Sequence, residues 1–216
     1  TNNIKLQEVC KQLHIPIVGT TSWPLPREAR EILRESNPCP FTAADLEERL
    51  IGTSEFMPRS AIVCLFPYHV PHEGPTNLSR YTWATDYHLV VADYLQRLVA
   101  ELKTTAPDAS FSIHCDTSPL ADRYMAYLAG LGFYGKNKCF INPTWGSYIV
   151  IGTVLTTLEF ESNTPIADTC MGCNRCITSC LGQCLDGNAF NYATCKSYLT
   201  QKKGDLTDDE QAIIRD

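Results

Sequence analysis

Five cysteines crowd into residues 170–184, CMGCNRCITSCLGQC. Cys170, Cys173 and Cys176 have C-x2-C-x2-C spacing, and Cys180 follows after three more residues. On a tight loop that spacing turns three thiolates toward one centre, whereas the fourth, at the start of a helix, points at a second; bacterial proteins with two iron–sulfur clusters share their ligands in this way. The chemistry on offer is electron transfer. A structural zinc site is the rival reading, although zinc usually takes two separated cysteine pairs rather than three in a row. Unligated or disulfide-bonded cysteines are a third. Cys195 is placed to supply a ligand to the second centre. Cys184 is within reach as a substitute ligand and equally suits the role of a small buried apolar residue. Leu181 stands after the fourth cysteine, where such runs carry proline, which weakens the case for two complete clusters more than the case for one.

Elsewhere each chemistry-bearing residue has an ordinary reading beside it. Asp116, in CDTSP, ends a strand pattern just before Ser118-Pro119 and on its own reads as a helix-cap aspartate. In GFYGKN, Gly132 and Gly135 permit a backbone turn that can approach a flat ligand, with Lys136 and Asn137 at its rim, but a plain strand-to-strand turn is the commoner meaning. His88 reads as a helix-face residue near the pocket rather than a metal ligand. Cys10, Cys39, Cys64, Cys115 and Cys139 read as core thiols, and Tyr81, Trp83 and Tyr87 as core aromatics.

These residues need a scaffold, and 216 residues suffice for one good core and a small second module. The apolar fraction of 44% is ordinary for a globular chain, and no apolar run reaches membrane-spanning length. The start lacks a basic-then-apolar signal, so a cytoplasmic location is expected, and clustered cysteines then favour metal over disulfides. A net charge of −6 argues against a broad basic face for nucleic acid while leaving room for a local contact.

Hydrophobic spacing predicts helices over 4–14, 26–35 and 42–51, strands in IPIVGT, SAIVCLFPYHV and FSIHCD, and a long helix from Tyr87 with Val90, Val91, Tyr94, Leu95, Leu98 and Leu102 on its inner face. Ser118 is expected to cap the next helix, with Pro119 in its first turn and Gly130 at its end. SYIVIGTVLTTL reads as a central strand, residues 159–168 as an acidic linker, and Thr207 to Glu210 as a capping box. The last helix closes on an aspartate without a glycine stop, so the natural polypeptide is expected to continue. Strands and helices alternate without a clean βαβ rhythm. The expected class is therefore α+β, a mixed sheet with flanking helices.

The stretches DLEERL, SAIVCLFPYH, RYTWATDYH and DTSPLADRYMAYLAGLGFYGKNKCFINPTWGSYIVIG, then the cysteine run, then CKSYLTQKKG, follow one another in the order of a known family. Over nearly the whole chain the sequence resembles the epoxyqueuosine reductases, cobalamin-dependent iron–sulfur enzymes of tRNA modification. Its departures are Leu181, Cys184, a slightly shortened 181–194 segment, and the absence of the family's second cysteine motif and C-terminal helical repeats.

The resemblance implies a nitroreductase-like cobalamin-binding domain over 1–160 and a ferredoxin-like iron–sulfur module over 161–216. It implies reductive removal of the epoxide oxygen of epoxyqueuosine in tRNA, with cobalamin and one or two 4Fe–4S clusters as cofactors. A non-catalytic cobalamin or iron–sulfur module and a reductive dehalogenase-like enzyme are the alternatives. Asp116 falls on the family's proton donor; an acid is needed there because an alkoxide leaves poorly until protonated, and burial beside an apolar ring would raise its pKa. Arg49, Ser79, Asp116, Ala121, Asp122, Arg123, Phe140, Ile151 and Ser197 fall on cobalamin contacts, Cys170, Cys173, Cys176, Cys180 and Cys195 on cluster ligands, and Thr200 and Lys203 on tRNA contacts. The implied partners are tRNA carrying epoxyqueuosine and an external electron donor, with the protein a monomer away from any membrane.

Overall fold

The structure, a computed structural model, describes residues 2–35, 39–71, 74, 78–167, 170–186 and 189–215. The chain opens with α1 (Asn2–Gln12), β1 (Ile17–Ser22), α2 (Arg27–Glu35), α3 (Leu46–Ile51) and β2 (Ser60–Pro67). A 3-10 turn, Arg80–Trp83, leads into α4 (Tyr87–Thr105), followed by β3 (Phe111–Cys115) and α5 (Asp122–Leu128). A small hairpin, β4 (Phe133–Tyr134) with β5 (Phe140–Ile141), precedes β6 (Ile149–Thr156). The cysteine-rich remainder holds α6 (Arg175–Thr178), α7 (Lys196–Leu199) and α8 (Asp208–Arg215).

A strand that is apolar at nearly every position must be covered on both faces. In β2, Ala61, Val63 and Leu65 pack toward α2, α3 and α5, whereas Ile62 and Cys64 pack toward α1 and α4. The sheet is thus the middle of three layers. On α4, Val91, Leu95, Leu98 and Leu102 are buried, the 3–4 spacing of one helix face, while Val90 is partly exposed.

The principal sheet has the order β1-β2-β6-β3, and every pairing in it is antiparallel. That overturns the mixed sheet expected from the sequence; the α+β class stands. β2 and β3 do run the same way, joined across one face by α4, as strand–helix–strand alternation suggests. But β6, the last strand, inserts between them and runs against both. Local patterning cannot reveal such an insertion.

Two further expectations change. α5 starts at Asp122, after Ala121, without a side-chain cap. The Ser118 Oγ instead accepts the Leu120 N–H at 3.2 Å and contacts His114 Nδ1 at 2.8 Å, so this serine braces the loop ahead of the helix. Gly130, at φ 69°, does stop the helix in the left-handed conformation. The acidic segment after β6 is no free linker. The Asn163 N–H donates to the Thr20 carbonyl (2.8 Å), the Thr20 N–H to Asn163 Oδ1 (2.7 Å), and the Ser22 N–H to Ser162 Oγ (2.7 Å). It covers the outer edge of β1, where a strand otherwise leaves a row of backbone groups unpaired. The Thr207–Glu210 box forms as expected, each backbone N–H bonded to the other's side chain. Among the described residues no helix is long and apolar enough to cross a membrane.

Candidate functional site

At the end of the sheet where β3 finishes and β6 begins lies a cavity of about 850 Å³. Its floor is apolar, with Leu33, Leu120 and Ile151; its polar groups include Arg49, Asp116, Asp122 and Arg123; aromatic walls come from Phe41, Tyr68, Tyr81, Tyr87, Tyr134 and Phe190. The mixture of an apolar body with a few convergent polar groups is that of a ligand site.

Asp116 occupies the first position after β3 at φ 52°, a left-handed conformation that aspartate tolerates better than most residues. The geometry turns its carboxylate into the cavity. The Tyr87 hydroxyl donates to Asp116 Oδ2 at 2.5 Å, and His88 Nε2 lies 3.3 Å from the same oxygen. Both partners come from the first turn of α4, which Asp86 caps by accepting the His88 N–H at 2.9 Å. Asp86 Oδ1 also meets His88 Nδ1 at 2.8 Å. That hydrogen bond chiefly raises the His88 pKa above its ordinary value, and the same contact lowers Asp86. Burial, then the bond to Asp116, pushes the Tyr87 phenol up, so it remains a donor. The burial expected for Asp116 is not seen: its side chain is 58% exposed.

Arg49 is 8% exposed on α3, and its Nη1 donates to the Leu33 carbonyl at 2.7 Å. The Ala121 N–H donates to the Arg49 carbonyl at 2.8 Å, which ties α3 to the start of α5. Asp122, on the first turn of α5, has its carboxyl pKa raised by burial, while its Oδ1 accepts the Arg123 N–H at 2.6 Å. Arg49, Asp116, Ala121, Asp122, Arg123 and Ile151 therefore meet around one cavity. Ser79, Phe140 and Ser197 are not among its walls. Ser79 is exposed ahead of the 3-10 turn, Phe140 is 4% exposed within the core, and Ser197 is exposed on α7. Thr200 and Lys203 are exposed just beyond α7. That region reaches the cavity rim through Tyr198, whose ring centroid lies 5.3 Å from that of Phe41.

Sequence reasoning missed Tyr87, read as a core aromatic. Its signal was positional: a polar aromatic in the first turn of a helix capped by Asp86 stands at the end of the sheet. Tyr81 is 45% exposed and likewise not core. The glycines of GFYGKN serve the hairpin itself, since a Cβ on Gly132 would meet the Ile141 carbonyl oxygen at 2.4 Å. Lys136 points away to Asn174 in the cysteine loop, at 2.8 Å. Of the thiols read as core, Cys10 and Cys64 are buried, but Cys39 lines the cavity and Cys139 is exposed.

None of the eleven cysteines forms a disulfide. Gly172 and Asn174, at φ 68° and 56°, curl the loop that carries Cys170, Cys173 and Cys176. Cys180 Sγ lies 3.3 Å from Cys184 Sγ, and burial first, then contacts with Cys180 and Cys195, push the Cys184 thiol up to about 12. Cys180, Cys184 and Cys195 thus neighbour one another. Among the described residues, no three His, Cys, Asp or Glu side chains close into a ready-made metal shell.

His114 braces the Asp116 loop from below. It is 3% exposed, its Nε2 2.9 Å from Ser112 Oγ and its Nδ1 2.8 Å from Ser118 Oγ, and burial depresses its pKa from 6.5 to about 4. Below pH 6.5 the unfolded chain binds a proton that the native chain refuses until about pH 4. Stability is therefore complete above pH 6.5 and falls as pH drops through that window, by about 3 kcal/mol. Urea unfolding at pH 7 and pH 4.5 checks this, and His114→Gln should flatten much of the difference.

A family model described as "Epoxyqueuosine reductase QueG, DUF1730" matches residues 54–117, which run from before β2 to just past Asp116. The epoxyqueuosine reductase of Bacillus cereus is 40% identical over 131 residues, 60% of this chain and 34% of that protein. That of Bacillus subtilis is 37% identical over 136 residues, 62% of this chain and 35% of that protein. The chain thus spans about a third of the length of these curated relatives. A crystal structure of epoxyqueuosine reductase with an epoxyqueuosine-modified tRNA-Tyr stem loop superposes with a TM-score of 0.83 at 27% identity, covering 98% of this chain and 60% of that one. The Bacillus subtilis enzyme, in a structure with its catalytic aspartate loop swung out of the active site, superposes with a TM-score of 0.81 at 27% identity, covering 98% and 60%. By sequence over 131 to 136 residues and by fold over nearly its whole length, this chain is similar to the epoxyqueuosine reductases.

Proposed function

We propose that this chain carries out epoxyqueuosine reductase chemistry, the reductive removal of the epoxide oxygen of epoxyqueuosine in tRNA to give queuosine. The observation that carries the reading is the carboxylate of Asp116, turned into a large cavity at the end of the sheet and gripped by Tyr87. Expelling an epoxide oxygen as water consumes two electrons and two protons, and Asp116 is the acid that delivers a proton to that oxygen.

Cobalamin is the cofactor, and the residues suit it. The floor of Leu33, Leu120 and Ile151 matches the flat apolar face of a corrin, while Arg49, Asp122 and Arg123 suit its amide-bearing rim. Bound there, it would supply the two reducing electrons. The chain's own residues bind it, keep it against the sheet and hold the acid; Ser79, Phe140 and Ser197 add contacts from outside the walls. Residues 1–160 form this nitroreductase-like domain, and residues 161–216 a ferredoxin-like module. Cys170, Cys173 and Cys176 would hold three of the four irons of one 4Fe–4S cluster; a thiolate-only donor set suits iron–sulfur chemistry. Cys180 and Cys195 serve a second, with Cys184 beside them. An external donor supplies the electrons. Thr200 and Lys203 meet the tRNA, and the protein works as a monomer in the cytoplasm.

Anaerobically prepared protein titrated with cobalamin tests the reading. The corrin spectrum should shift to the base-off form, and the protein should contain iron and acid-labile sulfide. Absence of cobalamin binding, or zinc in place of iron, would overturn it; binding without turnover of epoxyqueuosine RNA would leave a non-catalytic module.

A further inference from the structure

We propose that His88, with Asp86 behind it, is a proton-relay residue that recharges Asp116 from solvent. The inference rests on the reading of Asp116 as the proton donor. Asp116 and Tyr87 line the cavity, where a bound ligand would cover the Asp116 carboxyl, itself 58% exposed; His88 and Asp86 stand outside it, so the chain Asp116–His88–Asp86 would keep a route to the surface. Its contacts are continuous: Asp116 Oδ2 to His88 Nε2 at 3.3 Å, and His88 Nδ1 to Asp86 Oδ1 at 2.8 Å. His88 is 37% exposed on its side chain, open to exchange with water.

The imidazole is fixed in a useful orientation. Asp86 takes up Nδ1, which leaves Nε2 aimed at Asp116. Tyr87 stacks on the ring, with centroids 4.1 Å apart, and holds the Asp116 carboxylate still through its hydroxyl. The charged and titratable groups facing the histidine are Asp86, Tyr87 and Asp116, and the two carboxylates both favour its protonated form. An imidazolium near neutral pH is the form the relay needs.

The step balances in protons alone. The Asp116 carboxyl gives its proton to the departing oxygen and becomes a carboxylate. The His88 imidazolium gives its Nε2 proton to Asp116 Oδ2 and becomes neutral, keeping the Nδ1 proton bonded to Asp86. Water then returns a proton to His88. Both contacts reach Asp116 through Oδ2, so the proton arrives on that oxygen, and the carboxyl presents it to the departing oxygen by turning about its Cβ–Cγ bond.

Two measurements decide the matter. In the first, the protein without cofactor is labelled at histidine and titrated by NMR. The His88 pKa should fall in Asp86→Asn and also in Asp116→Asn; no response to Asp116→Asn would overturn the relay. In the second, turnover of epoxyqueuosine RNA is followed against pH in loaded protein. Without the relay, recharging depends on free hydronium, so His88→Ala should lose ~10-fold at pH 8 and much less at pH 6. Added imidazole should restore the alkaline rate, which a purely structural histidine would not allow. Wild-type turnover alongside an unchanged pH profile in His88→Ala would overturn the relay alone. Failure of the wild type itself to turn over would overturn the functional reading and the relay together, and the two failures are thereby distinct. His88→Gln, which keeps a hydrogen bond to Asp116 but carries no proton, should behave as His88→Ala does and resist imidazole rescue.

Discussion

Asp116→Asn should bind cobalamin as the wild type does and lose turnover by ~10²–10⁴-fold, the usual worth of a positioned acid. Asparagine is the informative change for two reasons. It keeps an oxygen for the Tyr87 hydroxyl, and it tolerates the left-handed backbone that Asp116 adopts at φ 52°. An alanine there would lose the hydrogen bond and strain the loop, confounding chemistry with structure. The measurement pairs a cobalamin titration with single-turnover assays on epoxyqueuosine RNA. A fully active Asp116→Asn protein would remove the proton-donor assignment, whereas loss of cofactor binding would show that the residue holds the loop rather than the proton.

On the proposed cluster assignment, Gly182→Ala should leave the sheet domain folded and strip the iron from the cysteine module. A Cβ at Gly182 would sit 1.7 Å from the Thr194 carbonyl oxygen, a backbone atom that cannot swing aside. Thr194 immediately precedes Cys195, so the forced separation moves a proposed cluster ligand. Overpacking of this kind costs about 1–3 kcal/mol or more. It falls on a region whose helices α6 and α7 have only four residues each and little regular structure to absorb it. Iron and acid-labile sulfide should drop while the main thermal transition, dominated by the two cores on either side of the sheet, stays where it is. Retention of full iron content would mean that Cys195 is not a ligand or that the 181–194 segment adjusts freely.

Much of the scaffold was legible because its signals are local. The run SAIVCLFP announces a strand covered on both faces, the spacing of Val91, Leu95, Leu98 and Leu102 announces a helix, and Thr207 with Glu210 announces a cap. What stayed hidden depends on partners distant in sequence. β6 slips between β2 and β3, which are themselves parallel, and no pattern within β6 encodes its neighbours. Ser118 looked like a helix cap because it precedes a helix; its hydroxyl is instead engaged by the buried imidazole of His114. The site divides in the same way. Arg49, Asp116, Asp122 and Arg123 were reached through motif resemblance and do meet around one cavity. Tyr87 was passed over because an aromatic in a helical pattern usually faces a core, and His88 was read only as a helix-face residue near the pocket; their contacts with Asp116 arise only where α4 begins beside the end of β3.

The stitching of residues 161–163 onto β1 has a practical consequence for anyone dissecting the protein. A truncation ending at residue 160 would look natural from the end of β6, yet it would peel away the strip that seals this flank of the sheet. The bared strand would offer Thr20 and its neighbours to another copy, and such fragments should self-associate by strand addition. Cutting after Thr164 preserves the seal, and such a fragment should stay monomeric where the shorter one does not.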